Sequence, residues 1–206
     1  MTPDAPVLTL RLVYWGPEGA GTRENLRALH VGLAPGHPGV LRRTGAVRPG
    51  DARADFLALE LGELSGWTVR LHVHAAPGAP FHEATRRRLL DGADGVVFVA
   101  DPQLRRATEN LASLRELLET LTALGHDPRT FPLVRQQAKQ DLPAVLRGDD
   151  AAWDAWLDLW STPVVAAEAV ACRGVFETLR AVVGLALARR ERASEAVHGT
   201  GGTDGG

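Results

Sequence analysis

Apolar positions along this chain recur with two different periods, and the changes of period mark its elements. From residue 7 to 15, VLTLRLVYW alternates: Leu8, Leu10, Leu12 and Tyr14 share one face, with Thr9, Arg11 and Val13 on the other, which predicts a strand. After the glycine-rich GPEGAG, Leu26, Leu29 and Leu33 recur at helical spacing in TRENLRALHVGL, and Gly32 with APGHPG stops the helix. Residues 34–54 show little periodicity and read as a loop or irregular edge. Phe56–Leu61 and Trp67–Ala75 read as two strands joined by GELSG, and AAPGAP at 75–80 as a tight turn leading into a helix over Phe81–Asp91. GVVFVAD at 95–101 has no polar face, as expected of a central parallel strand covered on both sides.

A long amphipathic helix is predicted over 104–124, ended by Gly125 and Pro128. FPLVRQ is a short strand, AKQDLP a loop, TPVVAAEAVA a last strand and GVFETLRAVVGLALARR a last helix. Between them, residues 149–160 are predicted to be a helix whose Trp153, Trp156 and Trp160 would share one face, either packed on the sheet or offered to a partner. Strands alternating with helices at this spacing argue an α/β fold with a doubly wound sheet.

Composition narrows this picture. A chain of 206 residues with 45% hydrophobic residues fits one domain, here 1–193, and a Gly-rich tail over 194–206 expected to be disordered. A formal net charge of -2 gives no push toward nucleic acid. Arg86 to Arg88 are read as a solvated helix face, diluted by Glu83 and Asp91. The single cysteine, Cys172, excludes an internal disulfide framework and fits a reducing compartment. The N-terminal segment has no basic region followed by an apolar core, and no apolar run reaches the about 18 residues that span a membrane. A cytoplasmic protein with no membrane span is expected.

The chemistry should lie in the first strand, loop and helix, an order that builds a phosphate cradle. Gly16 and Gly21 are five apart, as in the pattern G-x-x-x-x-G-K-[ST], with Gly19 between them. The next two positions depart from it: Thr22 stands where the lysine belongs and Arg23 where a hydroxyl should hold magnesium. Losing the lysine removes a charge-assisted bond worth about 2 to 5 kcal/mol when desolvated. Glu18, inside the loop, either fills the anion nest itself or points to solvent. His72 and His74 share a strand face and His82 follows, but no carboxylate or cysteine joins them at a metal-binding spacing, so no metal site is expected.

From about Leu10 to Leu187 the chain resembles the bacterial gliding-motility Ras-like GTPases of the MglA type. YWGPEGAG, DFLALELGEL, RLHVHAAPG, DGADGVVFVADPQ, AKQDLP and GVFETLRAV follow that family's segments in its order. The resemblance implies a Ras-like P-loop fold, with a mostly parallel central sheet flanked by helices. It implies GTP or GDP with magnesium as ligands and a roadblock-type protein as regulator.

The departures fall on the positions that the resemblance marks as functional. The first switch threonine falls at Asp51, with Arg53 in the region from which the family supplies an arginine, as is Arg48. The second switch reads Pro77, Gly78, Ala79, with alanine in place of the glutamine that orients water. The base-reading loop is Ala138, Lys139, Gln140, Asp141, in which Lys139 is expected to cover a guanine ring and Asp141 to accept from it, while the bracing asparagine is lost. A later loop that meets the base falls near Ala171 to Arg173. Five chemically distinct positions are replaced inside an intact frame. The expectation is a degenerate small GTPase domain with no catalytic residues and no cofactor, a protein-binding or scaffolding module with little or no GTP hydrolysis. The alternative is a weak GTP/GDP binder or slow GTPase that uses Arg23 and Asp141 with magnesium.

Overall fold

The computed structural model describes residues 6–33, 40–43, 54–64, 66–78, 82–143 and 162–199, with the backbone alone at 40–43, 64 and 196–199. Asp51, Arg53 and Arg48 of the first switch loop, Ala79 of the second, and Trp153, Trp156 and Trp160 lie outside the described residues.

Strand β1 (Val7–Trp15) is the centre of the sheet because both of its faces are buried and both of its edges are paired. It runs parallel to β4 (Trp67–Ala75) on one side and to β5 (Gly95–Ala100) on the other. Beyond β5 lie β6 (Leu133–Gln137) and the short β7 (Val164–Ala166), both parallel. Beyond β4, β3 (Asp55–Leu64) is antiparallel and pairs with β2 (Val40–Arg43), giving the order β2-β3-β4-β1-β5-β6-β7. The expectation of an α/β, mostly parallel sheet flanked by helices therefore holds.

Two apolar cores lie on opposite faces, and alternation along β1 divides it between them. Leu10, Leu12 and Tyr14 join Leu57, Leu71, Val73, Val97 and Val99 under α1 (Thr22–Gly32) and α4 (Val175–Gly199). Val13 and Trp15 join Leu90, Val96, Phe98, Leu117 and Leu121 under α2 (Glu83–Leu90) and α3 (Ala107–Ala123). Every residue of β5 is buried, the reason its sequence has no polar face. Gly95 lets α4 approach: a Cβ there would lie 2.8 Å from Val182 Cγ2.

Several boundaries move. The 104–124 helix opens as a 3-10 turn, Leu104–Arg106, with Leu104 exposed. The last strand contracts to three residues and gives way to a 3-10 turn at Ala169–Ala171. Part of the segment read as an irregular loop pairs as β2, since Val40–Arg43 find partners across β3. The last helix passes the expected tail boundary and ends at Gly199, because the first residues of the tail continue it without a glycine or proline.

Candidate functional site

The parallel strands point their carboxyl ends to one side of the sheet, and β1 lies where neighbouring connections diverge. Ligands of open α/β sheets bind outside such a switch point. The loop after β1 occupies it. Gly16 is required by contact: a Cβ there would lie 2.4 Å from the Val99 carbonyl oxygen. Gly19 and Gly21 have φ of 75° and 109°, left-handed conformations that favour glycine, and Gly21 leads directly into α1. The end of the loop is anchored from below, where the Asn25 amide donates to the Gly21 carbonyl (2.9 Å) and exchanges hydrogen bonds with Gln136 of β6 (2.8 and 2.9 Å). Gln136 in turn donates to Thr178 Oγ1 of α4.

A cleft of about 600 Å³ opens over this loop, lined by Pro17, Glu18, Gly19, Gly21, Thr22, Arg23, Glu24, Asp55, Pro77, Gly78 and His82 among others. Arg23 does not point free into it: its Nε–H donates to the carboxylate of Asp55, the first residue of β3. The Arg23 side chain is half-exposed and that of Asp55 largely buried. Glu18 is exposed, and among the described residues no hydrogen bond joins its carboxylate to a loop amide. Of its two readings, the one toward solvent fits. The described lining thus carries three carboxylates, Glu18, Glu24 and Asp55, against one guanidinium.

The second switch begins where β4 leaves the sheet. Gly78 leans on the glycine loop so closely that a Cβ would lie 2.5 Å from both Cα and N of Glu18. Arg86 of α2 donates to the Gly78 carbonyl (3.2 Å) and to Ser113 Oγ (3.3 Å) and pairs with Glu116 at 3.2 Å. That last contact is an ion pair without the alignment of a hydrogen bond. The expected solvated face is therefore corrected at Arg86, which is 1% exposed and stacked 3.9 Å from the Trp15 ring centroid. Burial pushes the Glu116 carboxyl above the usual range, and Arg86 acts against that push.

The base loop is tied down as well. Lys139, with φ of 54°, places its Nζ 2.7 Å from Asp101, a buried carboxylate at the end of β5 that also accepts from Gln103. Arg106 stands 3.8 Å from the same carboxylate, pairs with Glu109 and donates to the Glu18 carbonyl. Asp141 is exposed, and no partner is seen for it among the described residues. Gln140 N–H bonds the Ala167 carbonyl, and Glu168 and Arg173 close the following turn by a two-way backbone bridge and an ion pair. Ala171 to Arg173 therefore belong to a turn that is closed by its own residues.

These residues fit a magnesium-bound nucleotide poorly. Position 23 offers a guanidinium, which has no lone pair to give a magnesium ion. His72 and His74 pack against Phe56, with ring centroids 5.2 and 4.9 Å away. Burial, with Arg11 and His72 nearby, pushes His74 down to about 4. No described helix is long and apolar enough to cross a membrane.

Asp55, Arg86, Asp101 and Arg106 are the site residues that sequence reasoning missed. Asp101 carried a signal, a lone carboxylate closing the apolar run GVVFVA.

No family-wide sequence profile matches the chain. It is 36% identical over 180 residues to the mutual gliding-motility protein MglA of Myxococcus xanthus (strain DK1622), an alignment covering 87% of this chain and 91% of that protein.

Proposed function

Because the chain belongs to the MglA-type family of Ras-like gliding-motility small GTPases, we propose that it works as a protein-binding or scaffolding module that turns over little or no GTP. The observation that carries this reading is Arg23: it stands in the place of a magnesium-ligating hydroxyl and is held by Asp55. Lys139, engaged by Asp101 rather than left to cover a base, supports it. The partner is a protein, with a roadblock-type regulator as the family's precedent, and the setting is the cytoplasm. The surface is the switch side, where Gly78 and α2 are held in one position by Arg86.

Calorimetric titration of the nucleotide-stripped protein with GDP and a non-hydrolysable GTP analogue, with and without magnesium, tests the reading. No heat is expected at about 1 mM ligand, where a site of about -4 kcal/mol is half filled. Partner affinity should be the same with and without GTP.

The exposed Asp141 and the left-handed glycines of the loop favour a second reading, weak GTP/GDP binding with slow hydrolysis. Guanine-specific heat that grows with magnesium would establish it in place of the first.

A further inference from the structure

We propose that the Arg23–Asp55 ion pair is an autoinhibitory latch that keeps the cation of the glycine loop from phosphate-class anions. Removing the Asp55 carboxylate opens a magnesium-independent pyrophosphate site there. This rests on the reading that the wild-type chain takes up no magnesium nucleotide.

Sheet register places the latch. Asp55 pairs with Ala75, and Ala75 pairs with Tyr14, so Asp55 stands level with the end of β1, beside the start of the loop. Arg23 lies in the first turn of α1, on the far side of the same loop. Their ion pair therefore joins α1 to β3 across the mouth of the cleft.

The backbone beneath is shaped for an anion, with two left-handed glycines running into an eleven-residue helix. The side chains above it are arranged against one. Arg23 is the one arginine or lysine in the described lining, and its Nε–H is given to a carboxylate. An entering pyrophosphate meets Glu18, Glu24 and Asp55 and competes with Asp55 for the guanidinium. Like-charge contacts of this kind oppose binding. Asparagine at 55 removes one of these charges and loosens the hold on the Arg23 Nε–H, so that the planar guanidinium can turn to bidentate phosphate contact.

The test titrates inorganic pyrophosphate, in the presence of a chelator, into the full-length wild type, Asp55→Asn, and the double variant Asp55→Asn/Arg23→Gln. The latch predicts no saturation of wild type at millimolar pyrophosphate, binding at least tenfold tighter in Asp55→Asn, and loss of that gain in the double variant. No gain in a folded Asp55→Asn overturns it. A gain that survives Arg23→Gln also overturns it, since that would be relief of repulsion alone. On the wild type itself, the Arg23 Nε–H should give an NMR signal that exchanges slowly with solvent. Exchange as fast as that of other exposed arginines overturns the latch even where the variants fail to fold. Uptake of magnesium and GDP by the wild type would instead count against the nucleotide-free reading, so the two failures are distinguishable.

Discussion

The guanidinium of Arg86 lies 3.9 Å from the centroid of the Trp15 indole, and so joins the helix of the second switch to the strand that carries the glycine loop. Trp15 Nε1–H donates to the Ser113 carbonyl, and Ser113 Oγ accepts from Arg86, so β1, α2 and α3 share one buried polar junction. Arg86→Met should remove the stack and leave Glu116 short of its partner. The expected loss is about 3 kcal/mol, from the cost of breaking a buried pair. Arg86→Met/Glu116→Leu should recover most of it, and urea denaturation midpoints of the three proteins check this.

His74 has a folded pKa of about 4, below its unfolded value, because burial and the positive groups around it oppose protonation. The unfolded chain then binds the extra proton first. The stability that His74 carries should be complete above about pH 6.5, fall as the pH drops toward 4, and be gone below. The contribution is at most about 3 kcal/mol. His74→Phe should make this part of the profile shallower, the remainder belonging to His72 and His126, which burial also pushes down, as followed by thermal melts across the range.

Gly78→Ala should separate the second switch from the glycine loop. The added methyl would sit 2.5 Å from the backbone of Glu18 and 2.8 Å from Pro17 C, atoms that cannot swing aside as a flexible side chain does. A cost of about 1 to 3 kcal/mol is expected, as for overpacking in general. Hydrogen exchange should rise at residues 17–22 while the far end of the sheet keeps its protection.

Lys139→Met should act on stability and leave guanine nucleotides without effect on the melt. Its ammonium lies 2.7 Å from Asp101, a carboxylate only 1% exposed. Uncovering that charge should cost about 2 kcal/mol, with the other partners of Asp101 limiting the loss. Asp101→Asn in the same chain should restore part of it, measured by the same denaturation midpoints.

Local pattern made the frame legible. GVVFVA could be only a strand buried on both faces, and alternation in β1 and β4 fixed which residues face each core. The glycines at 16, 19 and 21 marked the loop because backbone shape is written in local sequence. The side-chain partners were illegible because they are made between elements far apart in the chain. Arg86 looks like its exposed neighbour Arg87 until Trp15 and Glu116 arrive on either side of it. Asp55 looks like a loop carboxylate until β3 pairs with β4 and brings it to Arg23. Lys139 in its loop suggested a base contact, and only the end of β5 supplies Asp101.

The central place of β1 also sets the order in which the molecule can form. Val13 needs His74 on one edge and Val96 on the other, and neither partner is near it in sequence. Closing loops of that size before any contact repays them slows folding. During synthesis the glycine loop emerges before β5, and Gly16 meets the Val99 backbone only after β5 has followed. The nascent chain therefore carries an unpaired apolar strand until β5 has emerged, and that interval is when it is most exposed to aggregation or in need of a chaperone.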